Sequence, residues 1–281
     1  TYFNYLPSFS TPGSYSGKGC EDGEREMSPL LETKEVTKDF GGLRAVNHCS
    51  IAVEKGSICG LIGPNGAGKT TLFNLLTGTY KPTSGSVYFK NERIDGLEPH
   101  ETCLRGLVRT FQIARELKNM TVLENMLLAS KDQLGEHLIY AVIRPKKMVV
   151  QEKTNLEKAL QILEIVGIKH LRQELATNLS GGQRKMLEVA RALMADPEML
   201  LLDEPTSGAN LDETKNLMKY IETLRKEQGL TFLIVEHKME VIMNLCDKIF
   251  VMNSGENLAE GTPHEVQQNP QVIEAYLGKE K

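Results

Sequence analysis

The run Gly63-Pro64-Asn65-Gly66-Ala67-Gly68-Lys69-Thr70 fits the pattern G-x-x-x-x-G-K-[ST]. It lies between an apolar, strand-like run from Ser57 to Ile62 and a helix-like run from Lys69 to Thr77. Glycines at 63, 66 and 68 allow backbone conformations closed to residues with a Cβ, so successive N–H groups can turn toward a polyphosphate. The helix starting at Lys69 would add its positive dipole end to the same anion. Lys69 can reach the outer phosphates as a point charge, and the Thr70 hydroxyl can ligate Mg²⁺. The competing reading, a glycine-rich turn with an incidental lysine, does not explain the strand before it or the helix after it.

Three further stretches carry candidate chemistry. Met199-Leu200-Leu201-Leu202-Asp203-Glu204-Pro205 is a short apolar strand ending in two carboxylates. Consecutive apolar residues mark a strand buried on both faces, as in a parallel sheet, whose ligands bind at the strands' carboxyl ends. One carboxylate there can hold Mg²⁺ and its neighbour can accept a proton from water, although two carboxylates can also cap a turn. Thr231 to Val235 reads as another buried strand, with Glu236-His237 at its end, where a histidine could hydrogen-bond a phosphate or be merely structural. Leu179-Ser180-Gly181-Gly182-Gln183 precedes a helix expected over Arg184 to Met194. Ser180 fits an N-cap, and two glycines beyond it expose backbone N–H groups at a positive helix end, a second anion site. Phe40, beside Gly41, could stack on a nucleobase or be a core or hairpin aromatic.

The elements that must hold these residues can be placed along the chain. Residues 1–28 are rich in Ser, Gly, Tyr and Pro and end in an acidic patch, which reads as a flexible N-terminal tail or linker. Ordered structure is expected from about Met27, either because Met27 is a natural start or because the preceding residues link to a fused neighbour. Leu30 to Val36 is the first strand-like run, Lys38 to Val46 reads as a turn, and Cys49 to Val53 as the next strand. Short strands are expected at Ser86 to Lys90, near Ile94, and at Val108 to Gln112. From Thr121 to about Leu171 the pattern is mostly helical, with Thr121 and Asn125 near helix starts and Pro145 as a separator. Leu156, Leu160, Leu163 and Val166 form one helix face, stopped at Gly167. This block reads as a helical subdomain inserted into an α/β core. Ile249 to Met252 is one more strand, Gly255 a turn, and Pro263 to Leu277 short helices.

At 281 residues, one large α/β domain or two lobes can be accommodated. A net charge of −4 without a basic block gives no reason to expect nucleic acid. The apolar runs fall short of the ~20 residues of a membrane span, so any membrane role must come through a partner. Five cysteines at 20, 49, 59, 103 and 246, odd in number and without C-x-x-C spacing, read as reduced thiols of a cytoplasmic protein.

Together these pieces resemble the ATP-binding-cassette ATPases over about Pro29 to Gly278. The phosphate loop, Leu179–Gln183, Leu200–Pro205 and His237 occur in the order and at the spacing of that family. The resemblance implies an α/β fold: a P-loop NTPase core with a mixed sheet, an antiparallel β subdomain and an inserted helical subdomain. The cassette would span 29–278, with 29–111 and 180–278 as the nucleotide-binding core and 112–179 as the helical subdomain. It implies ATP and Mg²⁺ as cofactors. Phe40 is similar to the adenine-stacking aromatic. Gly63, Pro64, Asn65, Gly66, Ala67, Gly68, Lys69, Thr70 and Thr71 would hold the phosphates, with Thr70 on Mg²⁺. Gln112 resembles the Q-loop glutamine, which contacts Mg²⁺ and hinges the helical subdomain. Asp203 resembles the Walker B aspartate on Mg²⁺, Glu204 the base that polarises the attacking water, and His237 the γ-phosphate contact. Ser180, Gly181, Gly182 and Gln183 resemble the signature motif, which in this family binds the ATP held by the opposite subunit. Gly208-Ala209-Asn210-Leu211-Asp212 occupies the D-loop position but departs from the common Ser-Ala-Leu-Asp form.

Within the family, Phe40 to Val46, Val108 to Gln112, Met120 to Asn125 and the ending Gly261 to Gly278 resemble the ATPase of branched-chain (LIV-type) amino-acid importers. The full signature motif leaves urea/amide importers and lipopolysaccharide-export ATPases open, and a non-transport ATPase of the iron–sulfur assembly type also remains. The LIV-type resemblance implies integral-membrane permease subunits and a second ATPase subunit, self or paralogue, in a head-to-tail dimer. An extracytoplasmic substrate-binding protein would act indirectly, and nucleic acid is not expected. The chain would sit peripherally on the cytoplasmic face of the inner or plasma membrane.

Overall fold

The computed structural model describes residues 28–110, 117–131, 133–136, 140, 143 and 145–277. Residues 1–27 of the tail expected at 1–28, and Gln112, lie outside these residues.

The chain first builds an antiparallel sheet. β1 (Leu31–Phe40) pairs with β2 (Leu43–Cys49), β3 (Ala52–Val53) and β5 (Ser84–Phe89), and β5 pairs with β6 (Glu92–Arg93). The turn and strand expected at 38–53 need correction. Phe40 pairs directly with Leu43, so the chain reverses within Gly41-Gly42, and Gly41 takes a left-handed φ of 58°. Such a two-residue hairpin loop needs residues tolerant of positive φ, and a glycine pair suffices. β2 therefore starts earlier than expected and ends at Cys49.

β4 (Ile58–Ile62) begins the second sheet, whose order is β11-β10-β4-β9-β8-β7. β7 (Leu107–Arg109), β8 (Met199–Asp203), β9 (Thr231–Val235), β4 and β10 (Lys248–Asn253) run parallel, and β11 (Glu256–Gly261) closes one edge antiparallel to β10. β4, β8 and β9 are buried at every position, as the apolar runs require. β11 was not expected: its polar sequence carries no strand alternation, and it is held by the hairpin through Ser254 and Gly255.

Alternation along these strands divides the interior into two cores. Cys59, Leu61, Leu201, Leu233, Val235 and Phe250 face α1 (Lys69–Leu76) and the antiparallel sheet. Ile58, Ile62, Leu200, Leu202, Phe232 and Ile234 face a layer of helices. Packed into this second core are α3 (Val122–Leu128), α4 (Lys146–Ile165), α5 (Gly181–Leu193), α6 (Leu211–Gln228) and α7 (Met239–Leu245). A short α2 (Pro99–Leu104) precedes β7, and α8 (Pro263–Gln268) and α9 (Pro270–Leu277) follow β11.

Three helical expectations shift. Thr121 is the N-cap of α3, with Glu124 closing a capping box, but Asn125 lies inside the helix and is fully buried. Its amide accepts from Leu117 N–H and donates to the carbonyls of Leu117, Met120 and Thr121, bracing the segment that enters the helix. α4 starts at Lys146, and its buried face is Met148, Ala159, Ile162 and Leu163, leaving Leu156 exposed. α5 starts at Gly181, ahead of the expected Arg184, because Ser180 and Gln183 form a capping box around the two glycines.

Candidate active site

β4, β9 and β8 are neighbours, so the segments leaving their carboxyl ends meet at one edge of the sheet. The phosphate loop comes directly after β4, Asp203 ends β8 with Glu204 next, and Glu236-His237 comes directly after β9.

In the phosphate loop the glycines do different work. Gly63 (φ 152°) passes so close to β10 that a Cβ would lie 2.1 Å from the Met252 carbonyl oxygen, and at Gly68 (φ 98°) one would lie 2.5 Å from that of Ala45. Gly66 (φ 79°) faces open space. Gly68 is the N-cap residue of α1. Asn65, Gly66 and Thr70 are exposed, Pro64, Gly68 and Thr71 are partly exposed, and Ala67 is buried. Lys69, 7% exposed, donates through Nζ to the carbonyls of Gly63 at 2.7 Å and Pro64 at 3.0 Å, folding back along the loop. Burial holds its ammonium below the ordinary lysine pKa, against the opposing pull of Glu204 and Asp203. An anion laid on this loop would thus meet a helix N-terminus and a largely desolvated cation.

Asp203 is 2% exposed and paired through Oδ2 with Arg109 Nη2 at 2.7 Å. Glu204 takes a left-handed φ of 48°, unusual for a residue with a side chain and typical of strain kept at functional sites. Its N–H remains on the β9 ladder, bonded to the Val235 carbonyl, and its Oε1 lies 3.0 Å from His237 Nε2. The structure therefore joins Glu204 and His237, which the sequence places 33 positions apart.

Phe40 ends β1 at the hairpin, 41% exposed, with its ring edge-to-face on Tyr80 at 5.2 Å. Lys38 Nζ lies 5.2 Å from the Phe40 ring centroid. It is thus a hairpin aromatic with ring surface left for a partner.

Ser180, Gly181, Gly182 and Gln183 make their contacts elsewhere. Ser180 Oγ donates to Glu213 Oε1 on α6 at 2.8 Å, and Glu213 also accepts from the Asn210 N–H. These bonds hold the Glu213 carboxyl below the usual carboxylate range. A Cβ on Gly182 would lie 2.2 Å from the Glu213 carboxyl carbon, and one on Gly181 3.0 Å from the Gly208 carbonyl oxygen. Gly181 thus lies against the Gly208 backbone and Gly182 against the end of the Glu213 side chain.

Four supporting residues escaped the sequence expectations: Arg109, Tyr80, Glu236 and Lys238. Glu236, 4% exposed, accepts the N–H groups of Thr206 and His237, and Lys238 donates to the Thr206 carbonyl. They pin the turn after Glu204 to the end of β9. The only signal for Glu236 is a charged residue at the end of a fully apolar strand, and the motif pattern assigns that position's chemistry to His237 alone.

The donor set fits a metal–nucleotide. Mg²⁺ in such sites takes one or two protein groups together with substrate phosphates, and Thr70 Oγ and the Asp203 carboxylate meet that requirement. Among the described residues no group of three or more His, Cys, Asp or Glu side chains is placed to hold a metal ion. Cys49, Cys59, Cys103 and Cys246 are free thiols, as expected from their spacing.

Residues 46–207 match the family model described as ABC transporter, and 256–281 match that described as branched-chain amino acid ATP-binding cassette transporter. The chain is 44% identical over 249 residues to the probable branched-chain amino acid transport ATP-binding protein LivG of Archaeoglobus fulgidus, covering 89% of this chain and 95% of that protein. It is 41% identical over 251 residues to the high-affinity LivG of Escherichia coli K12, covering 89% and 98%. A crystal structure of a nucleotide-free ATP-binding cassette from an ABC transporter superposes with a TM-score of 0.77 at 39% identity, covering 89% of this chain and 99% of that one.

Proposed function

The chain belongs to the ABC transporter family, as its ATP-binding and ATP-hydrolysing subunit, and from that premise we propose how its residues divide the work. Gly63 to Thr71 hold the triphosphate, with Lys69 moving from the Gly63 and Pro64 carbonyls onto the outer phosphates. Thr70 and Asp203 hold Mg²⁺, together with Gln112. Bound there, Mg²⁺ would neutralise charge on the β- and γ-phosphates. Glu204 orients the attacking water and takes its proton, and His237 holds Glu204 until the γ-phosphate is bound, then contacts that phosphate. The reaction needs mainly positioning and charge neutralisation, so a rigid sheet edge suits it. The observation that carries this reading is the Glu204–His237 pair at 3.0 Å beside the phosphate loop. Phe40 stacks on the adenine.

Ser180 to Gln183 serve the nucleotide of a second cassette, in a head-to-tail dimer of this chain with itself or a paralogue. Residues 112–179 act as the helical subdomain and the remainder of 29–278 as the nucleotide-binding core. No described helix is long and apolar enough to cross a membrane. The transporter family supports peripheral attachment to permease subunits, which we place at the cytoplasmic face. The match at 256–281 and the names of the relatives support a role in branched-chain amino-acid transport, which we read as import with an extracytoplasmic binding protein delivering the substrate. The test is coexpression with branched-chain permease subunits and reconstitution into vesicles. The chain should copurify with the permease, and leucine-loaded binding protein should raise ATP hydrolysis several-fold. Copurification with no response to any branched-chain amino acid would overturn the substrate assignment.

A further inference from the structure

Arg109 touches two parts of the site, Asp203 and the phosphate-loop helix. As the last residue of β7 it stands in register with Leu201 of β8, three positions before Gln112 in the chain. Its Nη2 donates to Asp203 Oδ2 at 2.7 Å, with side-chain exposures of only 9% and 2%. Its Nη1 donates at 2.5 Å to Asn74 Oδ1, on the helix that begins at Lys69. The guanidinium carbon also lies 5.5 Å from the centre of the Phe73 ring on the same helix. A planar fork can bridge two acceptors on different elements while lying against a ring; an ammonium is a point charge without that geometry.

We propose that Arg109 is the positioning residue for the metal-binding carboxylate. It fixes Asp203 by Oδ2, leaving Oδ1 for a divalent cation, and ties that carboxylate to the phosphate-loop helix so that the two hold one spacing. The inference rests on the reading of Asp203 as a Mg²⁺ ligand. Outer partners of metal ligands change metal affinity by roughly 10- to 100-fold when altered, and Arg109 acts through Asp203 in this way.

The test is binding of a fluorescent ATP analogue to Arg109→Lys, from metal-free EDTA buffer through a Mg²⁺ titration, with a melting curve for each protein. The expected result is a cooperative melt, metal-free affinity equal to the unmodified chain, and a Mg²⁺ requirement raised about 10-fold or more. Asn74→Ala, which leaves the Arg109–Asp203 pair in place, should raise it by a smaller factor. An unchanged Mg²⁺ requirement in both variants would overturn the proposal. So would equal loss of affinity with and without Mg²⁺, the mark of a merely distorted phosphate loop. If the unmodified chain itself binds the analogue without regard to Mg²⁺, the reading of Asp203 falls, and the inference with it. A Mg²⁺-responsive parent whose variants need no more Mg²⁺ than it does removes the inference alone.

Discussion

At the scale of single residues, the three loop glycines separate a backbone need from a packing need. All three have positive φ, but only Gly63 and Gly68 also lack room for a Cβ. Gly66→Ala should cost about 1–2 kcal/mol, the left-handed penalty alone. Gly68→Ala adds a contact under 3 Å with the Ala45 carbonyl and should cost clearly more. Urea midpoints of the two variants check this, and equal losses would contradict the packing described. The sequence pattern identified all three glycines, since the pattern is a backbone requirement. It could not rank them, because the crowding comes from Met252 and Ala45, residues brought in from other elements. The same limit hid Arg109. One arginine in a strand-like run is invisible as a partner until β7 is seen beside β8.

Elements buried on both faces were the most legible. β4, β8 and β9 follow their apolar runs, because a two-sided burial leaves no other composition available. β11 and β2 were not, since hairpin geometry sets their existence and limits. α6 carries Leu217, Ile221 and Leu224 at helical spacing, with Asn210 and Glu213 as a capping box, a helix signal that a reading centred on the D-loop motif passes over. Asn125 shows the opposite error: a residue typical of helix starts that instead sits buried inside one. Four hydrogen bonds to the 117–121 backbone depend on it. Without the side chain the Leu117 N–H loses its bond, while the Leu117, Met120 and Thr121 carbonyls each keep a backbone N–H, from Met120, Ala176 and residue 125 itself. One unpaired donor at roughly 1–3 kcal/mol means that Asn125→Ala should lower stability by about 2 kcal/mol in denaturant unfolding, and a loss below about 1 kcal/mol would contradict the bracing role.

At the scale of the whole molecule, the proposed reading gives the chain one end of each of two sites. The phosphate loop, Glu204 and His237 gather at the sheet edge, while exposed Ser180 at the start of α5 is bonded to Glu213. The Glu213 carboxylate takes up the Ser180 hydroxyl and the Asn210 N–H within the chain. On this account the nucleotide of a second cassette replaces the Ser180 bond, and hydrolysis at Glu204 releases the pair. The sequence motifs supply both halves as expectations. They could not show that the signature serine is already satisfied within its own chain.

The central claim, that Glu204 drives release of a nucleotide-bridged pair, is tested most directly by light scattering on Glu204→Gln at saturating ATP and Mg²⁺. The account predicts twice the mass of one chain, returning to that of a single chain when ATP is left out. A protein that binds ATP yet keeps the mass of one chain, both alone and mixed with the transporter's second ATPase subunit, would contradict it.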